Sequence, residues 1–321
     1  MKAIVQERYG SPDFLELREL DKPAIEDHQV LVRVHASSVN PAEWYRVMGP
    51  FFVRPAEGLR LPKRTSIGAD LAGRIEAVGR DVKEFQPGDE VFGTSGGSWA
   101  EYAAAREVRL VRKPPNLSFE EAAAVPVAAL TALQALRDKG NVQPGQQVLI
   151  NGASGGVGTF AVQLAKSFGA DVTAVCSTGN VDQARSLGAD RVVDYTLEDF
   201  TQRGERHDLM IDIVGSRPFS QVRRVLTPDA TVVLVGARMT NRGIGPLSHV
   251  IKTRLASVGR SQTVTFFIAK ITKEDLVFLQ ELLAAGKLKS VIDRRYELSQ
   301  IPDALRYLGE GHARGKIVIS A

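Results

Sequence analysis

Residues 147–158 read Gln-Val-Leu-Ile-Asn-Gly-Ala-Ser-Gly-Gly-Val-Gly, an apolar stretch that runs into a glycine-rich turn. An amphipathic run follows, with Phe160, Val162, Leu164, Ala165 and Phe168 at helical spacing, and it stops at Gly169. A second apolar stretch, Val172 to Cys176, begins shortly after. Strand, turn, helix and strand make a βαβ unit of about 30 residues. A turn of this kind lets backbone approach a pyrophosphate, and the helix behind it points unpaired N–H groups at the negative charge. Gly155 is expected at the close approach and Gly158 where the helix packs on the strand, with Ser154, Gly156 and Val157 in the same turn. The G-x-G-x-x-G spacing falls on Ala153, Gly155 and Gly158, so alanine holds the first glycine position and Gly152 precedes it. The competing reading is a glycine turn that binds nothing; the strand and helix on either side favour a dinucleotide.

The second strand decides which dinucleotide. A carboxylate about 20 residues past the glycines would grip the adenosine ribose of NAD. Here the stretch is Cys176-Ser177-Thr178-Gly179-Asn180, with no acid before Asp182. Nothing there repels a 2′-phosphate, and Ser177, Thr178 and Asn180 can hydrogen-bond one, so NADPH is expected over NADH. The loop itself carries no cation to pair with that phosphate, the nearest being Arg185. Ser177 and Asn180 read equally well as turn residues and a helix cap.

Bulk properties narrow the class. A chain of 321 residues suggests two domains, and 44% hydrophobic with 24% charged residues is ordinary for a globular protein with a buried core. No apolar run reaches the ~18 residues of a membrane span, and the start reads as a strand, not a signal peptide. The single cysteine, Cys176, can form neither an internal disulfide nor a multi-cysteine zinc site; it suits a reducing, cytoplasmic setting and reads as a core thiol. The net charge of +4 is scattered along the chain, which argues against nucleic-acid binding.

The elements needed to position these residues follow from pattern. Residues 1–112 hold six short apolar alternations, starting at Lys2, Leu15, Gln29, Ala69, Glu90 and Trp99, broken by Pro and Gly and not separated by helices. That predicts an antiparallel, barrel-like domain. Ser118 with Glu121 resembles a capping box opening an alanine-rich helical stretch to Gly140. From Val148 strands and helices alternate, as in a doubly wound parallel sheet. The expected division is 1–117 with 287–321 in one domain and 118–286 in the other.

Six stretches together carry a resemblance: Ala36 to Tyr45 around Asn40; Ile67 to Gly73 with Glu76 to Gly79; Pro87 to Gly93; Ala129 to Ala132; Gly152 to Gly158; and Gly315 to Ile319. In this order, over nearly the whole length, the chain resembles the medium-chain dehydrogenase/reductase family. The resemblance implies a GroES-like β-barrel domain joined to a Rossmann domain. In the zinc branch of that family a ligand cysteine falls where this chain has Asn40, and a ligand histidine followed by glutamate falls at Ala69-Asp70. Alanine cannot ligate, the four-cysteine lobe is absent, and the five histidines show no ligand spacing, so no metal is expected and the zinc-free, quinone oxidoreductase-like branch is the nearer match.

Without a Lewis acid, simple alcohol oxidation is disfavoured, and hydride delivery to an electron-poor quinone or enone remains. The resemblance implies that Tyr45 contacts the acceptor oxygen, with Asn40 and Thr131 near the nicotinamide. It assigns Tyr195 to the adenine side, Val214, Gly236 and Ala237 to strand ends facing the cofactor, and Phe266 and Phe267 to the carboxamide end. Lys316 would approach the phosphates, and the chain would form a homodimer. Tyr45 reads equally as an aromatic packed with Trp44 and Phe51, and Asn40 and Thr131 as ordinary turn and helix residues. Two other functions stay open: a zinc-free ketone or aldehyde reductase, and a non-catalytic NADPH-binding redox sensor acting through partners. The stretch Met48 to Arg64, with two phenylalanines and four basic residues, is expected to border the substrate cleft and tune specificity.

Overall fold

The computed structural model describes residues 1–237, 239 and 245–321, which cluster into two units. The first unit opens with an antiparallel pair, β1 (Lys2–Gln6) and β2 (Leu15–Glu19). Its main sheet contains β3 (Gln29–Val39), β4 (Asp70–Val78), β5 (Glu90–Thr94), β6 (Tyr102–Arg106) and β7 (Leu110–Arg112). Val30, Val32 and Val34 alternate along β3 and put their β-branched side chains on one face, where Leu71, Ile75, Val91 and Leu110 complete a dry core. Two helices lie between β3 and β4: α1 (Pro41–Met48) and α2 (Arg54–Glu57). Pattern reading passed over α1, although its start carries the usual signals of Asn40 at the N-cap, proline in the first turn and Glu43 at the third position. It also passed over β7, whose three residues are too few to show a period.

Next come α3 (Phe119–Ala123) and α4 (Pro126–Gln134). The second unit then alternates β8 (Gln147–Asn151), α5 (Gly156–Ser167), β9 (Asp171–Cys176), α6 (Val181–Ser186) and β10 (Arg191–Asp194). It continues with β11 (His207–Asp212), α7 (Phe219–Val222), β12 (Leu226–Leu234), α8 (Leu247–Ser257) and β13 (Thr263–Phe266). All six strands are parallel in the order β10-β9-β8-β11-β12-β13, the doubly wound arrangement that reverses direction between β8 and β11. The central strands are nearly uninterrupted apolar runs, because sheets of this kind are covered on both faces.

The chain then returns to the first unit through α9 (Lys273–Ala284), β14 (Ile292–Glu297), α10 (Ile301–Glu310) and β15 (Lys316–Ser320). β15 slots between β14 and β3, giving the sheet order β14-β15-β3-β4-β5-β7 with β6 on β3. By contacts the first unit holds Met1–Leu130 and Ile271–Ala321, and the second the described residues from 131 to 270. Its borders therefore differ from those expected from pattern, since α3 and α9 fall with the β-rich unit. The reason is packing: Phe119 of α3 stacks on His35 of β3 at 4.3 Å, and Lys273 and Gln280 of α9 donate to the carbonyls of Leu110 and Arg112 at 2.6 and 2.8 Å.

Candidate active site

In the second unit the glycine turn divides its work among three glycines. Gly152 follows β8 with φ +93°, and a β-carbon there would lie 2.5 Å from Val214. The N–H groups of Gly152 and Ala153 donate to the Val175 carbonyl at 3.2 and 3.1 Å, bending the chain over β9. A β-carbon on Gly158 would sit 2.1 Å from the Gly152 carbonyl oxygen, so α5 rests directly on the turn. Gly155 is the opposite case, for its nearest atom would be that same oxygen at 3.9 Å, which leaves open space above the turn. As N-cap of α5, Gly155 has no side chain to satisfy the first N–H groups of the helix.

Ser154, Gly155, Gly156 and Val157 follow β8, Ser177 follows β9, and Tyr195 follows β10. Val214 follows β11, Gly236 and Ala237 follow β12, and Phe266 with Phe267 closes β13. Since all these strands are parallel, the residues share the carboxyl edge of one sheet. Tyr195 is half exposed and Ser177 partly so. Asn180 differs from the expectation: it is buried, and its amide donates to Ser177 Oγ at 2.9 Å, because the short turn after β9 folds the side chain inward. It supports Ser177 instead of reaching a phosphate. Phe266 is partly buried against the core of this unit. Thr131 lies half-buried on α4.

Sequence reasoning missed the polar staple at the point where the sheet reverses. Asn151 at the end of β8 donates to Asp212 at the end of β11 at 2.8 Å, and the Gly215 N–H donates to the same carboxylate oxygen at 2.9 Å. His249 of α8 places Nε2 3.4 Å from the other oxygen. These residues are far apart in sequence and of common types, so no local signal announced them.

The first unit holds a second constellation around Asp70, which is fully buried at the start of β4. One carboxylate oxygen accepts from Ser38 Oγ at 2.5 Å and Asn40 Nδ2 at 2.9 Å, and lies 3.3 Å from Lys316 Nζ. The other accepts the Val127 N–H at 2.9 Å, in the first turn of α4. Lys316 also donates to Asn40 Oδ1 at 2.6 Å. Lys316 is only 3% exposed, since β15 pairs with β3 and lays its first side chain beside Asn40. Its ammonium is thus committed inside the first unit, which corrects the expectation that it approaches phosphates. Asn40 is likewise 3% exposed with both ends of its amide engaged, by Asp70 and Lys316.

The Asn40 N–H donates to the Glu43 carboxylate at 2.8 Å, one arm of a capping box that starts α1. Burial, then the negative charge of Asp70, pushes the Glu43 carboxyl from its ordinary 4.5 up to about 7, against the opposing pull of Lys316. Tyr45 projects from the same helix, half-buried, with its ring edge-on to Trp44 at 5.1 Å and to Phe52 at 5.5 Å. The expected neighbour Phe51 is instead 79% exposed, as are Leu59 and Leu61 to 72% and 64% in the following stretch.

The Glu43 shift fixes a pH dependence. A carboxyl whose folded-state value is raised stabilises the fold fully below its ordinary value and loses that contribution as pH rises through about 7. Urea midpoints of the wild type are expected to decline from about pH 5 to about pH 8, and those of Glu43→Gln, neutral and of the same shape, to decline less. Parallel declines would show that Glu43 does not titrate in that window.

Residues 26–115 match the alcohol dehydrogenase GroES-like domain, and residues 187–319 match the family described as zinc-binding dehydrogenase. The chain is 36% identical to the 2-methylene-furan-3-one reductase of Solanum lycopersicum, covering 99% of this chain and 79% of that one. It is 34% identical to the chloroplastic quinone-oxidoreductase QR1 of Triphysaria versicolor, covering 99% and 98%. Among solved structures, the quinone oxidoreductase of Coxiella burnetii superposes with a TM-score of 0.88 at 32% identity, covering 100% and 99%. The two units thus define an oxidoreductase that joins a GroES-like domain to a Rossmann sheet. The chain belongs to the medium-chain dehydrogenase/reductase family, in its quinone oxidoreductase-like branch.

Proposed function

We infer that this protein is a zinc-independent, NADPH-dependent oxidoreductase that reduces a quinone or another electron-poor enone. The observation that carries the reading is the place of Lys316. Its ammonium lies 2.6 Å from Asn40 Oδ1, at the position where the zinc branch has a ligand cysteine, and Ala69 stands where that branch has a ligand histidine. An amide bonded to a fixed cation in place of the cysteine, with alanine in place of the histidine, is the wrong donor set for a divalent metal. Among the described residues, no three His, Cys, Asp or Glu side chains come together as a metal site. The segment matched to the zinc-binding dehydrogenase description, 187–319, does not contain either position.

The second unit fits a dinucleotide. Open space over Gly155, the uncapped start of α5 and the close seat of Gly158 are the features a pyrophosphate requires of its host. The backbone N–H groups of Ser154 to Val157 would hold the diphosphate, Ser177 the ribose end and Tyr195 the adenine side. When bound, NADPH supplies the hydride. An acceptor that is already electron-poor needs no metal to polarise it, so the protein's part is orientation, exclusion of water and a hydrogen bond to the developing oxyanion. Tyr45, half-buried and held between Trp44 and Phe52, is the proposed donor of that hydrogen bond.

A homodimer is part of the same reading: β13 ends the sheet, and Ile251, Leu255, Val258 and Ile268 near it are 49–81% exposed. Light scattering on the purified protein tests it. The cytoplasmic setting rests on the lone Cys176; among the described residues no helix is long and apolar enough to cross a membrane.

The deciding experiment is anaerobic oxidation of NADPH and NADH against quinones, enones and aldehydes, with metal analysis of the same preparation. The expected result is turnover of quinones and enones that survives dialysis against a chelator, with kcat/KM for NADPH at least about ten-fold above NADH. Ser177→Asp should erase that preference by repelling the 2′-phosphate while leaving NADH turnover intact. Turnover confined to aldehydes, or stoichiometric zinc required for it, would overturn the proposal.

A further inference from the structure

The Asp70–Lys316 pair stands between two helices that carry proposed site residues, yet neither side chain is placed to touch a substrate. Asp70 reaches α4 through the Val127 N–H at 2.9 Å, one turn before Thr131. It reaches α1 through Asn40 Nδ2 at 2.9 Å, and Lys316 holds the other end of the same amide at 2.6 Å. Asn40 is the residue from which α1 starts, and Tyr45 follows on that helix. A buried ion pair is costly to keep, and replacing one by apolar groups is often neutral or stabilising. Stability alone therefore does not account for the pair. The geometry supplies a role, since a charged hydrogen bond to each end of the Asn40 amide fixes its orientation far more sharply than apolar packing could.

We propose that Lys316 and Asp70 are positioning residues for the reduction: together they clamp Asn40, and so set the start of α1 and the placement of the Tyr45 ring. This rests on the reading of Tyr45 as the contact to the acceptor. Lys316 acts at a distance, through Asn40 and the helix; it donates no hydrogen bond to substrate in this scheme.

The test uses the full chain labelled with 3-fluorotyrosine, whose six signals are assigned by single Tyr→Phe variants. In Lys316→Met the Tyr45 signal is expected to shift or broaden while the others stay, and kcat to fall about ten-fold with KM for NADPH unchanged. Lys316→Arg, which keeps the charge, should recover most of both. Should Lys316→Met fail to fold, the double variant Asp70→Leu/Lys316→Met removes both charges, leaves the interior neutral and should show the same two losses. An unmoved Tyr45 signal and unchanged kcat in either folded variant overturn the clamp. If the signal moves but Tyr45→Phe itself keeps full kcat, the clamp stands and the role given to Tyr45 fails.

Discussion

Gly158→Val is expected to cost more than 3 kcal/mol of stability and to abolish NADPH binding, whereas Gly155→Ala should leave the fold within about 1 kcal/mol of wild type and still weaken NADPH. The two glycines are three residues apart and chemically identical, and the difference lies wholly in what a side chain would meet. At Gly158 the obstacle is backbone: the Gly152 carbonyl oxygen at 2.1 Å and Ala153 at 2.7 Å. Backbone cannot swing aside as a flexible side chain can, so α5 would have to retreat from the turn and take its first N–H groups with it. At Gly155, with φ −77° and ψ 177°, any residue can adopt the conformation, and a methyl group would enter the open space over the turn. That space is where a phosphate would approach, so the loss falls on binding. Urea denaturation and fluorescence titration with NADPH separate the two effects. A Gly155 variant with wild-type affinity would remove the turn from the cofactor site.

Asp70→Asn should destabilise the protein by about 3–5 kcal/mol, the usual consequence of leaving a buried charge without its partner. Asparagine keeps one oxygen, which can accept from Val127 or from Lys316 but not from both, and its NH2 would face a donor at the other end, so the loss reports the missing charge together with a broken acceptor. Glu43 tempers it. The Asp70 charge is one of the two causes that push the Glu43 carboxyl up, and once it is gone Glu43 ionises more easily and becomes a substitute counter-ion for Lys316. Asp70→Asn/Glu43→Gln should therefore be less stable than the sum of the single changes, while Asp70→Leu/Lys316→Met should regain much of the loss. Urea midpoints at neutral pH for the set of variants measure each comparison. A loss under about 1 kcal/mol in Asp70→Asn would mean that Lys316 does not need a counter-charge.

Features written in consecutive residues were legible from the sequence. The parallel sheet announced itself as apolar strands alternating with helices from Val148 onward, and the turn at Gly152 to Gly158 declared both its glycines and its flanking elements. The β-rich character of the first unit showed in short alternations between Pro and Gly. What pattern could not show is who meets whom across long separations. Lys316 lies 277 residues from Val39, and only the pairing of β15 with β3 reveals that its ammonium faces Asn40 and not a phosphate. Asn151, Asp212 and His249 come from three different elements, and no spacing links them. Asn180 was read both as a phosphate contact and as a turn residue, and its amide bonds its neighbour three positions back, the local competition that turn residues of this type show.

The late arrival of β15 also has a temporal side. During translation the six-stranded sheet can close on itself as soon as residue 266 clears the ribosome, but the older β-rich half must wait, with the Asp70 carboxylate uncovered, for a strand that starts 287 residues after β3 began. The Rossmann sheet can therefore mature first, and a nascent chain interrupted before Lys316 would carry that sheet finished and the GroES-like sheet unassembled.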